Sequence, residues 1–441
     1  MQYLNRHDLV DHRRPLQRVP VAMIGARVLE CMTESDRDLL FPGEVIRGCV
    51  ADRVHFGSKL GIVIEYVFVL EGERSIRAFG QLPWGDPKAT FDKAMAKLEA
   101  GLSGRVGTGP RIALVGRLGL ILRAPGFDER IDDLAALTAY GMLTEALVPE
   151  IERFWGGDRV AIELLSHRLG KRAVLRISGA QDAGETTRAI LKLYKRGTPV
   201  AATAASTQRK LAERLSNDVA VVRVPTILGE LTERSAVLMA DAPGASLRSL
   251  IGVQRERGMQ SAGHCIAALH SSRLGDIDPY TPSHEWDLLS NWITFIAEIS
   301  QRQSAIFSRA LARVRADLCE VGGSMMVPIH RDFHEHQVIC NGASATLIDF
   351  DTIRLGDPAQ DIGNFLAHLH FADLQADALR VECADALLDG YRLGARAGLN
   401  VSQRNIDTHR RATLLRLALM NWFSERYRHL VEPLLDEVNA P

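Results

Sequence analysis

The chain has 441 residues, 46% hydrophobic and 24% charged, with 53 basic against 54 acidic side chains and a formal net charge of −1. That balance gives a nucleic-acid backbone no bulk attraction, and the apolar fraction suffices for a large core spread over roughly two or three domains or lobes. Apolar runs such as Gly61–Leu70 are rich in β-branched residues and far shorter than a membrane span, so they read as strands and no membrane partner is expected.

From the N-terminus, the first twenty residues carry charges throughout and lack the apolar stretch of a secretory signal, so a cytoplasmic location is expected. Six cysteines, without any C-x-x-C pair, read as buried thiols. Between Val54 and about Leu137 a basic turn (Phe56–Leu60) precedes a strand (Gly61–Tyr66), a second strand (Ser75–Gln81), a helix (Ala89–Leu98) and a further strand pair. The same order recurs from Val160. Strands Ala161–Leu165 and Ala173–Ile177 flank Ser166–Arg172, a basic turn whose single glycine suits either a phosphate-covering loop or a plain hairpin. Next come a strand (Ala189–Tyr194), a helix (Ala201–Leu215) and strands at Val219–Val224 and Ala236–Met239. On the third of these strands Lys192 sits among apolar neighbours, as an ammonium reaching nucleotide phosphates would. Arg176 is its rival. Glu213, on the helix, either pairs with the lysine or is a solvated charge. The first copy has Gly80 or Gln81 where the second has Lys192, so it lacks the ammonium and reads as non-catalytic, whether it arose by duplication or is merely a similar α/β module.

From Gln260 the chain turns helical through Ala262–His270. His330-Arg331-Asp332-Phe333-His334-Glu335-His336-Gln337-Val338 and then Leu347-Ile348-Asp349-Phe350-Asp351 carry the chemistry. Strands Gln337–Cys340 and Ala345–Ile348, turned by Asn341-Gly342, would hold Asp332 at the head of the first and Asp349 at the end of the second. Phosphoryl transfer needs one carboxylate to align the acceptor hydroxyl and others to hold Mg²⁺ on the phosphates, and these two aspartates fit those jobs. His334 and His336 form a His-x-His pair without a third ligand at suitable spacing. Asp357 and Asp361 read as caps of the next helix that brace the catalytic loop. Further amphipathic helices are expected around Phe365–Phe371, Ala376–Leu393 and Ile406–Phe423. Asp373, Glu382, Asp385 and Asp389 among them would suit a cationic acceptor, or are solvated helix charges.

The segments HRDFHEHQV, LIDFDTIRLGDPAQDIGNF and the helix ending ALH resemble, in order and spacing, the aminoglycoside phosphotransferase and choline kinase-like family. The resemblance implies a protein kinase-like α/β (α+β) two-lobe fold. Its parts would be an accessory α/β domain over 1–145 resembling a second nucleotide lobe, a nucleotide-binding lobe over 146–243, and a mainly helical lobe over 244–441. It implies ATP- or GTP-dependent phosphorylation of a small-molecule alcohol with Mg²⁺. Asp332 is then the catalytic base with Arg331 neutralising nearby charge; Asp349 and Gln337 are metal ligands; Lys192, oriented by Glu213, binds phosphates. Met239–Gly244 resembles the family's hinge, where the backbone of Ala240 and Ala242 would read the base. Gln337 departs from the usual Asn and has a longer reach to metal. A pseudokinase acting as a nucleotide-binding or regulatory module is the alternative, and the accessory domain would restrict the acceptor, brace the nucleotide lobe or form a homodimer contact.

Overall fold

Three short helices, α1 (Arg13–Ala22), α2 (Gly25–Cys31) and α3 (Glu34–Leu40), lead into a strand-rich module. α3 begins where Thr33 and Asp36 each accept from the other's backbone N–H, a capping box. The structure, a computed structural model, describes residues 13–440 except 58, 103–108, 142–146, 148, 150–159, 181–185, 216–221, 276, 321–324 and 377–382. In the module follow β1 (Ile46–Gly57), β2 (Gly61–Leu70), β3 (Ser75–Leu82), α4 (Pro87–Leu102), β4 (Ile112–Val115) and β5 (Leu120–Arg123). The sheet order is β1-β2-β3-β5-β4, antiparallel throughout. β2 is buried along most of its length on both faces, which accounts for its continuous apolar run.

After α5 (Leu134–Tyr140) the pattern repeats as β6 (Val160–Arg168), β7 (Arg172–Ala180), β8 (Thr186–Tyr194), α6 (Val200–Leu215), β9 (Val222–Arg223), β10 (Ile227–Leu231) and β11 (Ala236–Ala240). This sheet runs β6-β7-β8-β11-β10, again antiparallel throughout, with a helix after the third strand. The topology is that of the first module. Register settles which residue stands where Lys192 does. Gly57 pairs with Gly61 and Arg168 with Arg172; counting from those turns, Gln81 opposite Val63 corresponds to Lys192 opposite Val174. α5 packs on both modules: Leu134 and Leu137 join Ala173, Leu175 and Leu191 of the second sheet, while Ala136 lies in the first module's core. Of the strand expected at 219–224, residues 219–221 lie outside the described residues, and β9 pairs in parallel with Ala345–Thr346 of a later hairpin instead.

The remainder is β12 (Ala245–Ser246), α7 (Gly252–Ser271), α8 (Pro282–Ala297), α9 (Gln301–Glu320), β13 (Val327–Ile329), β14 (Val338–Asn341), β15 (Ser344–Leu347), β16 (Arg354–Gly356), α10 (Ala359–Ala376), α11 (Ala384–Gly394), α12 (Gln403–Asn421) and α13 (Val431–Asn439). The sheet β12-β14-β15-β9 lies over α7, with Met259, Ile266, Val338, Leu347 and Phe365 in its core. A second core joins the first module to α8, α9, α12 and α13, through residues such as Tyr66, Phe307, Leu415 and Leu434. Phe56 stacks among Trp292, Phe295 and Phe423, and Glu425 accepts from the N–H groups of Gly25 and Ala51 at 2.9 and 2.7 Å. Among the described residues no helix is long and apolar enough to cross a membrane. The cysteines are free thiols; Cys49, Cys265 and Cys340 are buried as expected, but Cys31 and Cys383 are half-buried and Cys319 is exposed.

Candidate active site

β14 and β15 pair Val338 with Leu347 and Asn341 with Ser344, so the turn is Gly342-Ala343, one residue later than expected. Gly342 takes the left-handed conformation, φ +59°, that its missing Cβ allows. At the open end Ile348 N–H donates to Gln337 O at 3.0 Å, which brings Gln337 and Asp349 to one edge of the hairpin. Gln337 Nε2 points at Asp332 Oδ2 from 3.5 Å.

Asp361, fully buried in the first turn of α10, braces the loop ahead of this hairpin. Its carboxylate accepts from His330 N–H at 2.6 Å and Arg331 N–H at 2.7 Å and lies 3.0 Å from His270 Nε2. His330 Nε2 lies 2.9 Å from Ile348 O, and Asn364 donates to Phe333 O at 2.8 Å. Asp357 accepts from Ala359 N–H at 2.8 Å at the start of the helix. With its backbone N–H anchored, Arg331 holds φ +68°; Asp349 has φ +66°, and both are left-handed values that non-glycine residues adopt at a cost and that cluster at functional sites.

Asp349 is the centre of an ion cluster between the lobes. Lys192, 6% exposed, crosses from β8 to place Nζ 3.0 Å from Asp349 Oδ1 and 3.3 Å from Asp351 Oδ1. Arg172, at the foot of the 168–172 hairpin, donates to both Asp349 oxygens at 2.7 and 2.6 Å and also to Asp351, and Tyr194 OH donates to Asp351 at 2.9 Å. Burial pushes the Asp349 carboxyl up, but Lys192 and Arg172 outweigh it and hold the group well below the usual carboxylate range. The donor set fits Mg²⁺. Asp349 offers carboxylate oxygens and Gln337 an amide oxygen, and Mg²⁺ is ordinarily held by one or two carboxylates together with substrate phosphates and water. Among the described residues no group of three or more His, Cys, Asp or Glu could hold a metal by itself.

Several expectations need correction. Glu213 is exposed, because the buried face of α6 runs through Ala205, Gln208, Leu211 and Leu215; the partners of Lys192 are the two aspartates. Arg176 lies apart from these aspartates, bonded at 2.9 Å to both Asp241 and Glu163. Arg331 lays its guanidinium on the Tyr280 ring, 3.6 Å from the centroid, so its charge is directed at that ring. Ala240 N–H donates to Thr226 O at 2.9 Å, so it is already paired within the protein, and Ala242 follows the end of β11. Asp385 and Asp389 are exposed on α11, Asp389 paired with Arg392 at 2.8 Å, and Glu382 lies outside the described residues. Sequence reasoning missed Arg172 and Tyr194. They pair across β7 and β8, and only that register, together with the approach of the catalytic segment, brings them to Asp349 and Asp351. A third imidazole, His368, stacks 4.8 Å from His334.

A sequence model of the phosphotransferase enzyme family (APH) matches residues 162–399, more than half of the chain. No curated protein matches. Among solved structures the chain is similar to a spectinomycin phosphotransferase in complex with ADP and spectinomycin, with 12% identity, TM-score 0.45, and coverage of 68% of this chain and 95% of that one. It is also similar to a choline/ethanolamine kinase family protein from Mesorhizobium loti (14%, TM-score 0.48, 66% and 91%) and to an ethanolamine kinase from Plasmodium vivax (14%, TM-score 0.44, 69% and 86%).

Proposed function

The chain belongs to the phosphotransferase enzyme family, and from that premise we propose that it transfers the γ-phosphoryl group of ATP or GTP to the hydroxyl of a small-molecule acceptor. The observation that carries this reading is the reach of Lys192 across the lobes to Asp349, 3.0 Å away, which joins a phosphate-binding ammonium to a metal-binding carboxylate. Asp332, with 43% of its side chain exposed, is open to an acceptor; it aligns the hydroxyl and takes its proton as the new O–P bond forms and the bond to the leaving diphosphate breaks. Asp349 and Gln337 hold Mg²⁺, which when bound supplies positive charge to the phosphate oxygens. The Ala240 carbonyl and the Ala242 backbone hold the base, and Arg172 and Lys192 turn from the aspartates toward the phosphates when nucleotide enters.

The test is a thermal-shift titration with ATP and GTP, each with and without Mg²⁺, on the wild type and Asp349→Ala. A Mg²⁺-dependent rise in midpoint that Asp349→Ala loses is expected. No rise with either nucleotide would overturn the reading.

A further inference from the structure

The Asp332 carboxylate has little of its own to hold it. Among the described residues the polar atoms within its reach are Gln337 Nε2, at 3.5 Å, and His334 Nε2, at 3.7 Å, and 43% of the side chain is exposed. A base has to stay within hydrogen-bond reach of one particular hydroxyl, so its direction must come from the residues on either side. Both are held. On one side, beyond the bond from its N–H to Asp361, Arg331 lays its guanidinium on the Tyr280 ring, 3.6 Å from the centroid; its buried Nε has no hydrogen-bond partner among the described residues, so the ring is what receives it. On the other side Phe333 O accepts from Asn364 Nδ2 at 2.8 Å.

The two holds meet at Glu285. This glutamate, 4% exposed in the first turn of α8, accepts from Tyr280 OH at 2.7 Å with one oxygen, and its other oxygen lies 3.5 Å from Arg416 Nη1. Arg416, on α12, donates through Nη2 to Asn364 Oδ1. The contacts therefore close a ring from Arg331 through Tyr280, Glu285, Arg416 and Asn364 to Phe333, and Asp332 is the residue that completes it. Tyr280 is also fixed at its backbone, where its N–H donates to Leu355 O at 2.7 Å on β16, the strand paired with the β13 that leads into the catalytic loop. Without the glutamate a buried hydroxyl and a guanidinium lose their shared acceptor, and the two flanks of Asp332 are no longer tied to each other. Given the phosphotransferase reading above, on which this inference rests, we propose that Glu285 is a positioning residue for the catalytic base: by joining Tyr280 to Arg416 it fixes the chain on both sides of Asp332 and so the direction in which the carboxylate meets the acceptor hydroxyl. Its effect belongs on kcat, since Asp349, Lys192 and Arg172 are not members of the ring, and a misplacement of about 1 Å at a reacting group costs up to about 10²-fold in rate.

The experiment compares the wild type with Glu285→Gln, which keeps the shape and removes the charge, and with Tyr280→Phe and Tyr280→Ala. Thermal shift reports folding and MgATP binding, and ADP release from MgATP is followed with pooled sugars, amino alcohols, hydroxy acids and nucleosides as acceptors. Glu285→Gln is expected to lower kcat about tenfold or more while the KM for MgATP moves less than about twofold. Tyr280→Ala should lose at least as much, and Tyr280→Phe, which keeps the ring under Arg331, should recover part of the loss. In an Asp332→Asn background Glu285→Gln should slow the residual reaction less than about twofold, because a residue that acts through the base has no further effect once the base is gone. The proposal is overturned if kcat holds in Glu285→Gln, if the KM for MgATP rises in step with the fall in kcat, or if the loss persists in full beside Asp332→Asn. Should Glu285→Gln fail to fold, the Tyr280 variants decide: a loss in Tyr280→Ala that Tyr280→Phe partly recovers supports the proposal, and any other order overturns it. Absence of MgATP binding, or binding without ADP release in any pool, would instead strike the phosphotransferase reading, and this one with it.

Discussion

Asp332 and Asp349 differ in what surrounds them, and their variants should differ accordingly. Asp332 is the more open, so Asp332→Asn should leave nucleotide affinity nearly unchanged while kcat falls by about 10²–10⁴-fold, the usual weight of a general base; single-turnover kinetics alongside nucleotide titration would show the split. Asp349 is tied to the fold by two cations. Its folded carboxyl titrates below the unfolded value of about 3.9, so its stabilisation is complete above that value and is lost as pH falls toward the lower folded one. Urea midpoints of wild type and Asp349→Asn should therefore lie apart at pH 7 and converge on acidification below about pH 4; a gap that stays constant would contradict the ion cluster. The structure brings Gln337 and Asp349 to one edge of the hairpin, with Gln337 pointing at Asp332, as the motif's spacing leads one to expect. Of the two readings of Glu213, the structure takes the exposed helix charge, since membership of a helix does not say which face a residue takes and the buried stripe runs through Gln208 and Leu211.

At the scale of elements, the 168–172 hairpin is held by the first module. Asp128 accepts from Gly170 N–H at 2.5 Å and lies 3.2 Å from His167 Nε2, while Leu169 packs with Leu60, Val63 and Phe79. Gly170 has φ +68°, and a Cβ there would lie 2.4 Å from the end of the Leu60 side chain, which favours glycine. Asp128→Ala would strand a buried N–H and an imidazole at about 1–3 kcal/mol for each unpaired group. Because Arg172 stands at the foot of that hairpin, the KM for nucleotide should rise severalfold; steady-state kinetics with ATP varied checks this, and an unchanged KM would mean that the hairpin holds its place without the first module. Strands β6–β8 and helix α6 were legible from apolar period, and the structure lengthens each strand at its ends. Helices α8 and α9 went unread. β9 is two residues long and owes its place to pairing with a strand more than a hundred residues later, which local pattern cannot reveal.

Across the whole molecule, the first module is bound on two sides, to the nucleotide lobe through Asp128 and Leu60 and to the helical lobe through Phe56 and Glu425. Glu425 also donates its own N–H to Ala51 O at 2.9 Å. Glu425→Ala removes the acceptor shared by Gly25 and Ala51 N–H, so a loss of about 1–3 kcal/mol is expected, read as a lower urea midpoint. If the two modules unfold together the transition stays single, whereas an earlier separate transition would show the first module to be an independent unit. Gln81 occupies in the first module the position that Lys192 holds in the second. It is buried and donates to Leu60 O at 2.6 Å, and the neighbouring Leu60, Val63 and Phe79 are packed against Leu169 of the nucleotide lobe.

The sequence by itself determined the chemistry and the repeated order of elements. An acidic motif with fixed spacing, a lysine amid apolar strand residues and two runs of similar periodicity are local properties that survive without a fold. Tertiary structure alone decided which cations meet which acids. Arg172 and Tyr194 reach Asp349 and Asp351 through strand register and the approach of separate segments. Those are long-range contacts, and the energy that selects them lies in burial and pairing between segments far apart in the chain.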